Sequence, residues 1–162
     1  MTAAEFGLPD AATTTALGAE LAQVLVVARA TRPLSIYLYG ELGAGKTTLA
    51  QGLLRALGVS GTVRSPSYTL VEPYETALGR VLHVDLYRLQ GARDVEALGL
   101  PDELAQAALL LVEWPERAGG VLPAADLSLW LTHRGLGRHC RLEAAAGPGA
   151  ECIVRLRASF SC

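Results

Sequence analysis

The stretch Gly40-Glu41-Leu42-Gly43-Ala44-Gly45-Lys46-Thr47 decides how the rest of the chain is read. A glycine, four residues and then Gly-Lys-Thr is the pattern of a phosphate-binding loop. Glycines in such a loop let the backbone take positive φ and come close to an anion. Successive N–H groups then face inward and cradle phosphate oxygens. Lys46 supplies a point charge to the outer phosphates, and Thr47 offers a hydroxyl to a magnesium ion. The helix that starts here adds its positive N-terminal end.

The short pattern also fits an ordinary glycine-rich turn, so its surroundings have to discriminate. Leu34 to Tyr39 is a β-prone apolar run before it. Leu49, Leu53, Leu54 and Leu57 recur at helical spacing after it, and Gly58 is placed to end that helix. Strand, loop and helix therefore come in the order the motif requires. Lys46 is also the only lysine in the chain, every other cationic side chain being arginine. A compact ammonium is kept at the one position where it is chemically preferred.

Two further apolar runs end in acids: Val81-Leu82-His83-Val84 in Asp85, and Leu109-Leu110-Leu111-Val112 in Glu113. Continuous apolar runs suit strands buried on both faces of a parallel sheet. Ligands collect at the carboxyl ends of such strands. Magnesium takes hard oxygen ligands and keeps several waters beside one or two carboxylates. Two acids behind a phosphate loop thus predict a magnesium role for at least one of them. Trp114 follows directly, as loop packing or as a nucleotide contact.

Elsewhere the pattern is plainer. Thr13-Thr14-Thr15 stand where an N-cap belongs, ahead of Leu17, Leu21, Val24 and Leu25 at helical spacing. Arg64 to Thr69 reads as a hydroxyl-rich loop, a solvated turn or a segment responsive to a γ-phosphate. Tyr68 to Tyr74, bounded by prolines, suits an edge strand or ribbon. Ala92 to Leu100 and the stretch from Pro101 read as two short helices. Asp126 to His133, Arg138 to Ala145 and Glu151 to Leu156 read as strands, the last two joined by Ala146-Gly147-Pro148-Gly149, so that the chain ends in an antiparallel ribbon. His83, His133 and His139 lack metal-ligand spacing and read as structural or exposed.

With 162 residues, 51% of them apolar and 19% charged, the chain predicts one folded domain. A net charge of -2 argues against a general electrostatic grip on nucleic acid. Cys140, Cys152 and Cys162 read as free thiols in a reducing compartment. Neither a signal peptide nor a membrane span is read, the Leu104–Val112 run being too short, so the cytoplasm is the expected location. The sequence has no asparagine, so the Asn-Lys-x-Asp element that reads guanine is missing and ATP is the expected nucleotide.

The ordered set GELGAGKTTL (40–49), SPSYTLVEPY (65–74), HVDLYRL (83–89) and LVEWPE (111–116) resembles the successive motifs of the TsaE family. The resemblance runs from about Leu8 to the C-terminal ribbon, and the set with LVEW is far more specific than the loop alone. It implies an α/β, P-loop NTPase-like three-layer fold, with a mostly parallel central sheet and a C-terminal antiparallel ribbon. It also implies a weak magnesium-dependent ATPase needed for N6-threonylcarbamoyladenosine in tRNAs that read codons beginning with A. By that resemblance Leu42, Gly43, Ala44, Gly45, Lys46, Thr47 and Thr48 bind ATP, with Thr14 near the nucleotide. Thr47 and Glu113 hold Mg2+, Asp85 and Lys46 serve hydrolysis, and Arg64 to Thr69 is a switch loop. The partners implied are the TsaB and TsaD proteins, with tRNA reached through them. Glu41 and Ser67 replace the family's frequent Asp and Thr, and both keep the functional group. The competing readings are a small-molecule kinase, with Arg88, Arg93 or Arg117 clamping a phosphoryl group, and a nucleotide-sensing scaffold without turnover.

Overall fold

The structure is a computed structural model and describes residues 1–28 and 30–161. Cys162, read above as a free thiol, lies outside the described residues. The strands are β1 (Thr2–Leu8), β2 (Leu34–Tyr39), β3 (Val71–Thr76), β4 (Gly79–Asp85), β5 (Leu109–Glu113), β6 (Leu127–Arg134) and β7 (Gly137–Ala144). The helices are α1 (Ala11–Ala28), α2 (Lys46–Ala56), α3 (Ala92–Glu96), α4 (Leu100–Leu104) and α5 (Pro148–Ser159), and Pro115–Ala118 forms a 3-10 turn.

One seven-stranded sheet has the order β1-β7-β6-β2-β5-β4-β3. Its four middle strands, β6, β2, β5 and β4, are parallel. β7 and β1 extend one edge and β3 the other, all antiparallel to their neighbours. The apolar runs of β2, β4 and β5 are central, as strands covered on both faces should be. On one face Leu17, Leu21 and Leu25 of α1 meet Leu49 and Leu53 of α2, Ile153 and Leu156 of α5, and Ile36 and Leu38 of β2. On the other, Val95 and Leu100 lie over Leu82, Val84, Leu110 and Val112. The result is the expected three-layer α/β arrangement.

Helix α1 is long and apolar enough by length and composition to cross a membrane. Its apolar stripe instead packs in the core against α2 and α5.

Four expectations are corrected. Glu151 to Leu156 is not a third ribbon strand but part of α5. Pro148 sits in its first turn, where a missing N–H costs nothing. Cys152, Ile153 and Leu156 then fall on one buried helical face. The β6–β7 hairpin is antiparallel as expected, yet β6 also joins the parallel core beside β2. The strand added to β7 is the N-terminal β1, for which the sequence was not read as strand. Finally, Asp10 rather than a threonine caps α1: its Oδ1 accepts from the Thr13 N–H at 2.7 Å and from the Thr13 hydroxyl at 2.7 Å. Those bonds favour the ionised form and hold the Asp10 carboxyl below its ordinary range.

Candidate functional site

The loop after β2 turns sharply before α2 begins. Gly45, immediately before the helix, has φ 104°, a left-handed conformation costly for any residue with a Cβ. Gly40 at the strand end must be small as well, since a Cβ there would stand 2.5 Å from the Leu131 carbonyl oxygen. These constraints put the amide edge of the loop at the carboxyl ends of β2, β4 and β5.

A cleft of about 260 Å³ opens there. It is lined by Leu42 to Thr48 together with Ser65, Ser67, Asp85, Tyr87, Glu113 and Trp114. A second hollow on the other flank of the loop is lined by Asp10, Thr14, Gly43, Gly45, Thr48, Leu136 and Arg138. Leu42 to Thr48, Asp85, Glu113 and Trp114 therefore gather around one loop, with Thr14 on its far flank, while Arg88, Arg93 and Arg117 do not line the cleft.

Strand alternation and register explain how the acids meet. Asp85 and Glu113 are paired across β4 and β5 and are the last residues of both strands. The Thr47 hydroxyl, in the first turn of α2, donates to Glu113 Oε1 at 2.7 Å. Asp85 Oδ1 accepts from the Tyr87 N–H at 2.9 Å, and its Oδ2 accepts from the Ser65 hydroxyl. Ser65 also lies 3.5 Å from Glu113 Oε2, so one serine spans both acids. Glu113 is 1% exposed and Asp85 6%.

The Lys46 ammonium donates to the carbonyl oxygens of Gly40 and, at 2.9 Å, of Glu41. It also lies 4.2 Å from the centre of the Trp114 ring, within cation–π range. Burial pulls the Lys46 pKa down, against the opposing pull of Glu113, Glu116 and Asp85. Trp114 takes a left-handed backbone, φ 59°, which is uncommon for a bulky side chain. That turn aims its ring into the cleft, beside Tyr87 at 5.0 Å.

A magnesium ion suits these groups. Two adjacent oxygens on an octahedral magnesium stand about 2.9 Å apart, from metal–oxygen distances of about 2.0–2.1 Å. The Thr47–Glu113 oxygen pair is already close to that separation. Among the described residues no group of three or more His, Cys, Asp or Glu could hold a metal. One hydroxyl and one carboxylate are nonetheless enough protein ligands for an ion that keeps waters and phosphate oxygens.

Several contacts were not read from the sequence. His83 was taken as structural or exposed, yet it is fully buried with Nε2 2.7 Å from Glu113 Oε2. Its place two residues before Asp85 on a strand was the available signal, since i and i+2 share a face. Ser65 stood inside the loop marked as a switch, but not as a bridge between acids. Arg138 donates to the Gly43 carbonyl oxygen at 3.0 Å, a contact 95 positions apart that no local pattern announces. His133 is exposed, and His139 lies half-buried 3.4 Å from Glu5, neither of them at the cleft.

A glycine-rich loop between a central parallel strand and a helix, with acids on the neighbouring strand ends, defines a phosphate-loop nucleotide-binding protein. Its family follows from comparison with known proteins. The family model described as threonylcarbamoyl adenosine biosynthesis protein TsaE matches residues 8–140, and the chain belongs to the TsaE family. A relative from Haemophilus influenzae, named tRNA threonylcarbamoyladenosine biosynthesis protein TsaE, is 36% identical over 146 residues, covering 90% of this chain and 92% of that protein. One of the same name from Synechocystis is 42% identical over 118 residues, 70% of this chain and 71% of the relative. Among solved structures, the Bacillus subtilis YdiB protein superposes with a TM-score of 0.78 at 25% identity, covering 98% of this chain and 97% of that one.

Proposed function

We propose that residues 1–162 form a single P-loop ATPase domain that binds ATP with Mg2+ and hydrolyses it slowly. It would act in the cytoplasm, in N6-threonylcarbamoyladenosine modification of tRNA, as the relatives' names indicate for them. TsaB and TsaD are the proposed partners, and hydrolysis resets their complex between rounds. The observation that carries the reading is the Thr47 hydroxyl held 2.7 Å from Glu113 at the mouth of the phosphate loop.

The geometry supports the following residue roles. The main chain from Leu42 to Thr48 cradles the phosphates, and Thr14 with Arg138 lines the flank where the rest of the nucleotide fits. Thr47 and Glu113 hold the magnesium ion, which neutralises charge on the outer phosphates. Lys46 exchanges its carbonyl partners for phosphate oxygens. Trp114 screens that ammonium from water, which strengthens its interaction with the anion. Asp85 Oδ2 is held by the hydroxyl of Ser65, a residue of the proposed switch segment. Release of Ser65 frees Asp85 Oδ2 to accept a hydrogen bond from the attacking water. Leu70, directly after that segment, has φ 65°, a strained setting that suits a segment with two arrangements. A net charge of -2 supports tRNA being held by the partners rather than by this chain.

The test is phosphate release by the protein alone and with TsaB, TsaD and tRNA, with modified nucleoside measured by mass spectrometry. Strong stimulation, with modified tRNA accumulating over several rounds only when ATP is hydrolysed, is expected. Partner-independent transfer of phosphate to a metabolite would replace this reading with a kinase, and binding without turnover in either mixture would replace it with a scaffold.

A further inference from the structure

We infer that His83 is a positioning residue that fixes the Glu113 carboxylate for the magnesium ion; this rests on the magnesium role proposed above. In β4, Val81, His83 and Asp85 share one face, and in β5 Leu109, Leu111 and Glu113 share the same one. His83 is paired with Leu111, one step below Glu113. Its ring therefore rises under the carboxylate from the neighbouring strand.

The contact is specific. Nε2 lies 2.7 Å from Glu113 Oε2, while Oε1 receives the Thr47 hydroxyl at 2.7 Å. An ionised carboxylate only accepts, so Nε2 is the ring nitrogen that carries a proton. The two oxygens are thus anchored separately, one by a strand and one by the helix that follows the phosphate loop. A glutamate has three rotatable bonds, and these two anchors hold it in a single orientation with Oε1 turned to Thr47.

Packing gives no other reason for an imidazole here. His83 is fully buried; on this face of the sheet it borders the aliphatic Val81, Leu109 and Leu111, and of the acids there, Glu72 paired with it across β3, Asp85 and Glu113, only Glu113 makes a hydrogen bond to the ring. Its Nδ1 is buried without a hydrogen-bond partner. Burying a polar ring costs free energy that one hydrogen bond does not fully return, and an aliphatic residue would fill the space without that cost. The contact to Glu113 is what the ring supplies in exchange. Partners that orient a metal's ligands in this way typically change metal affinity by about 10–100-fold when removed.

The experiment is calorimetric titration of ATP at a series of magnesium concentrations, on wild type, H83F, H83Q and H83N, with ATP binding in EDTA and thermal unfolding measured for each. Phenylalanine keeps the ring and loses the donor. Glutamine puts an amide N–H near the position of Nε2, and the shorter asparagine does not reach it. The magnesium concentration giving half of the gain in ATP affinity is expected to rise about 10-fold or more in H83F and H83N. It should return to within a few-fold of wild type in H83Q, with binding in EDTA alike for all. A wild-type titration by H83F, or equal values for H83Q and H83N, would overturn the inference and leave the magnesium reading standing. If H83F fails to fold, the comparison of H83Q with H83N decides. A wild-type protein indifferent to magnesium would remove both.

Discussion

Replacing Gly52 with alanine is expected to destabilise the protein, although helix propensity alone would favour the change. Gly52 lies inside α2, where alanine is better than glycine by about 1 kcal/mol. The structure reverses the sign. A Cβ at Gly52 would stand 2.2 Å from the Thr15 carbonyl oxygen and 3.1 Å from the Thr15 Cα. Its counterpart on α1 is as tight, since a Cβ at Gly18 would lie 2.2 Å from the Leu49 carbonyl oxygen and 2.9 Å from the Leu53 nitrogen. The two glycines let the helix backbones touch, so no side-chain rotation can relieve the clash. Reaching ordinary van der Waals separation needs about 1 Å of movement between α1 and α2. Overpacking costs about 1–3 kcal/mol, and an obstacle made of main chain belongs at the upper end. Subtracting the propensity gain leaves a net loss of about 2 kcal/mol, or about 4–8 °C in Tm for a chain of this size. Because α2 opens with Lys46 and Thr47, the same movement should weaken ATP binding. The assay is thermal unfolding followed by circular dichroism, with Gly7→Ala as the control, since a Cβ at Gly7 meets nothing within 4 Å. A Tm for Gly52→Ala equal to or above wild type would refute the close-packed helix pair.

Three more outcomes are expected. Lys46→Ala should lower ATP affinity by about 10–150-fold, the worth of a hydrogen bond to a charged group, and calorimetry showing unchanged affinity would remove Lys46 from the phosphate site. Asp85→Asn keeps one oxygen for the Tyr87 N–H and turns an NH2 toward the Ser65 hydroxyl, which can accept from it, but loses the charge; ATP should still bind while partner-stimulated phosphate release falls by about 100-fold or more, and normal release would leave Asp85 a strand-end residue. Cys140 and Cys152, whose thiols burial pushes up to about 12 and about 11, carry almost no thiolate at pH 8. Alkylation at that pH should spare both until denaturant is added, and peptide mapping that finds either labelled in the folded protein would contradict their burial.

What the sequence by itself determined is what local chemistry encodes. The β2–loop–α2 unit follows from an apolar run, glycines that free the backbone, and leucines at helical spacing, all within 25 residues. The acids Asp85 and Glu113 follow from apolar runs that stop at a charge. The ordered motifs carry the family, because they are read along the chain and need no contact map. Even α5 was legible, since Pro148 after a glycine marks a helix start; the period-2 reading of 151–156 overlooked it.

Tertiary structure alone decided the rest. Periodicity tells a strand which face to bury and says nothing of its neighbour, so β1 beside β7 and β6 beside β2 had no signal. The same holds for Arg138 on the loop carbonyl of Gly43 and for Gly18 facing Leu49 and Leu53, contacts set by how helices and strands stack. His83 belongs with them: its residue type is visible in the chain, but its chemistry arises only when β4 lies against β5 and brings an imidazole under the carboxylate of Glu113.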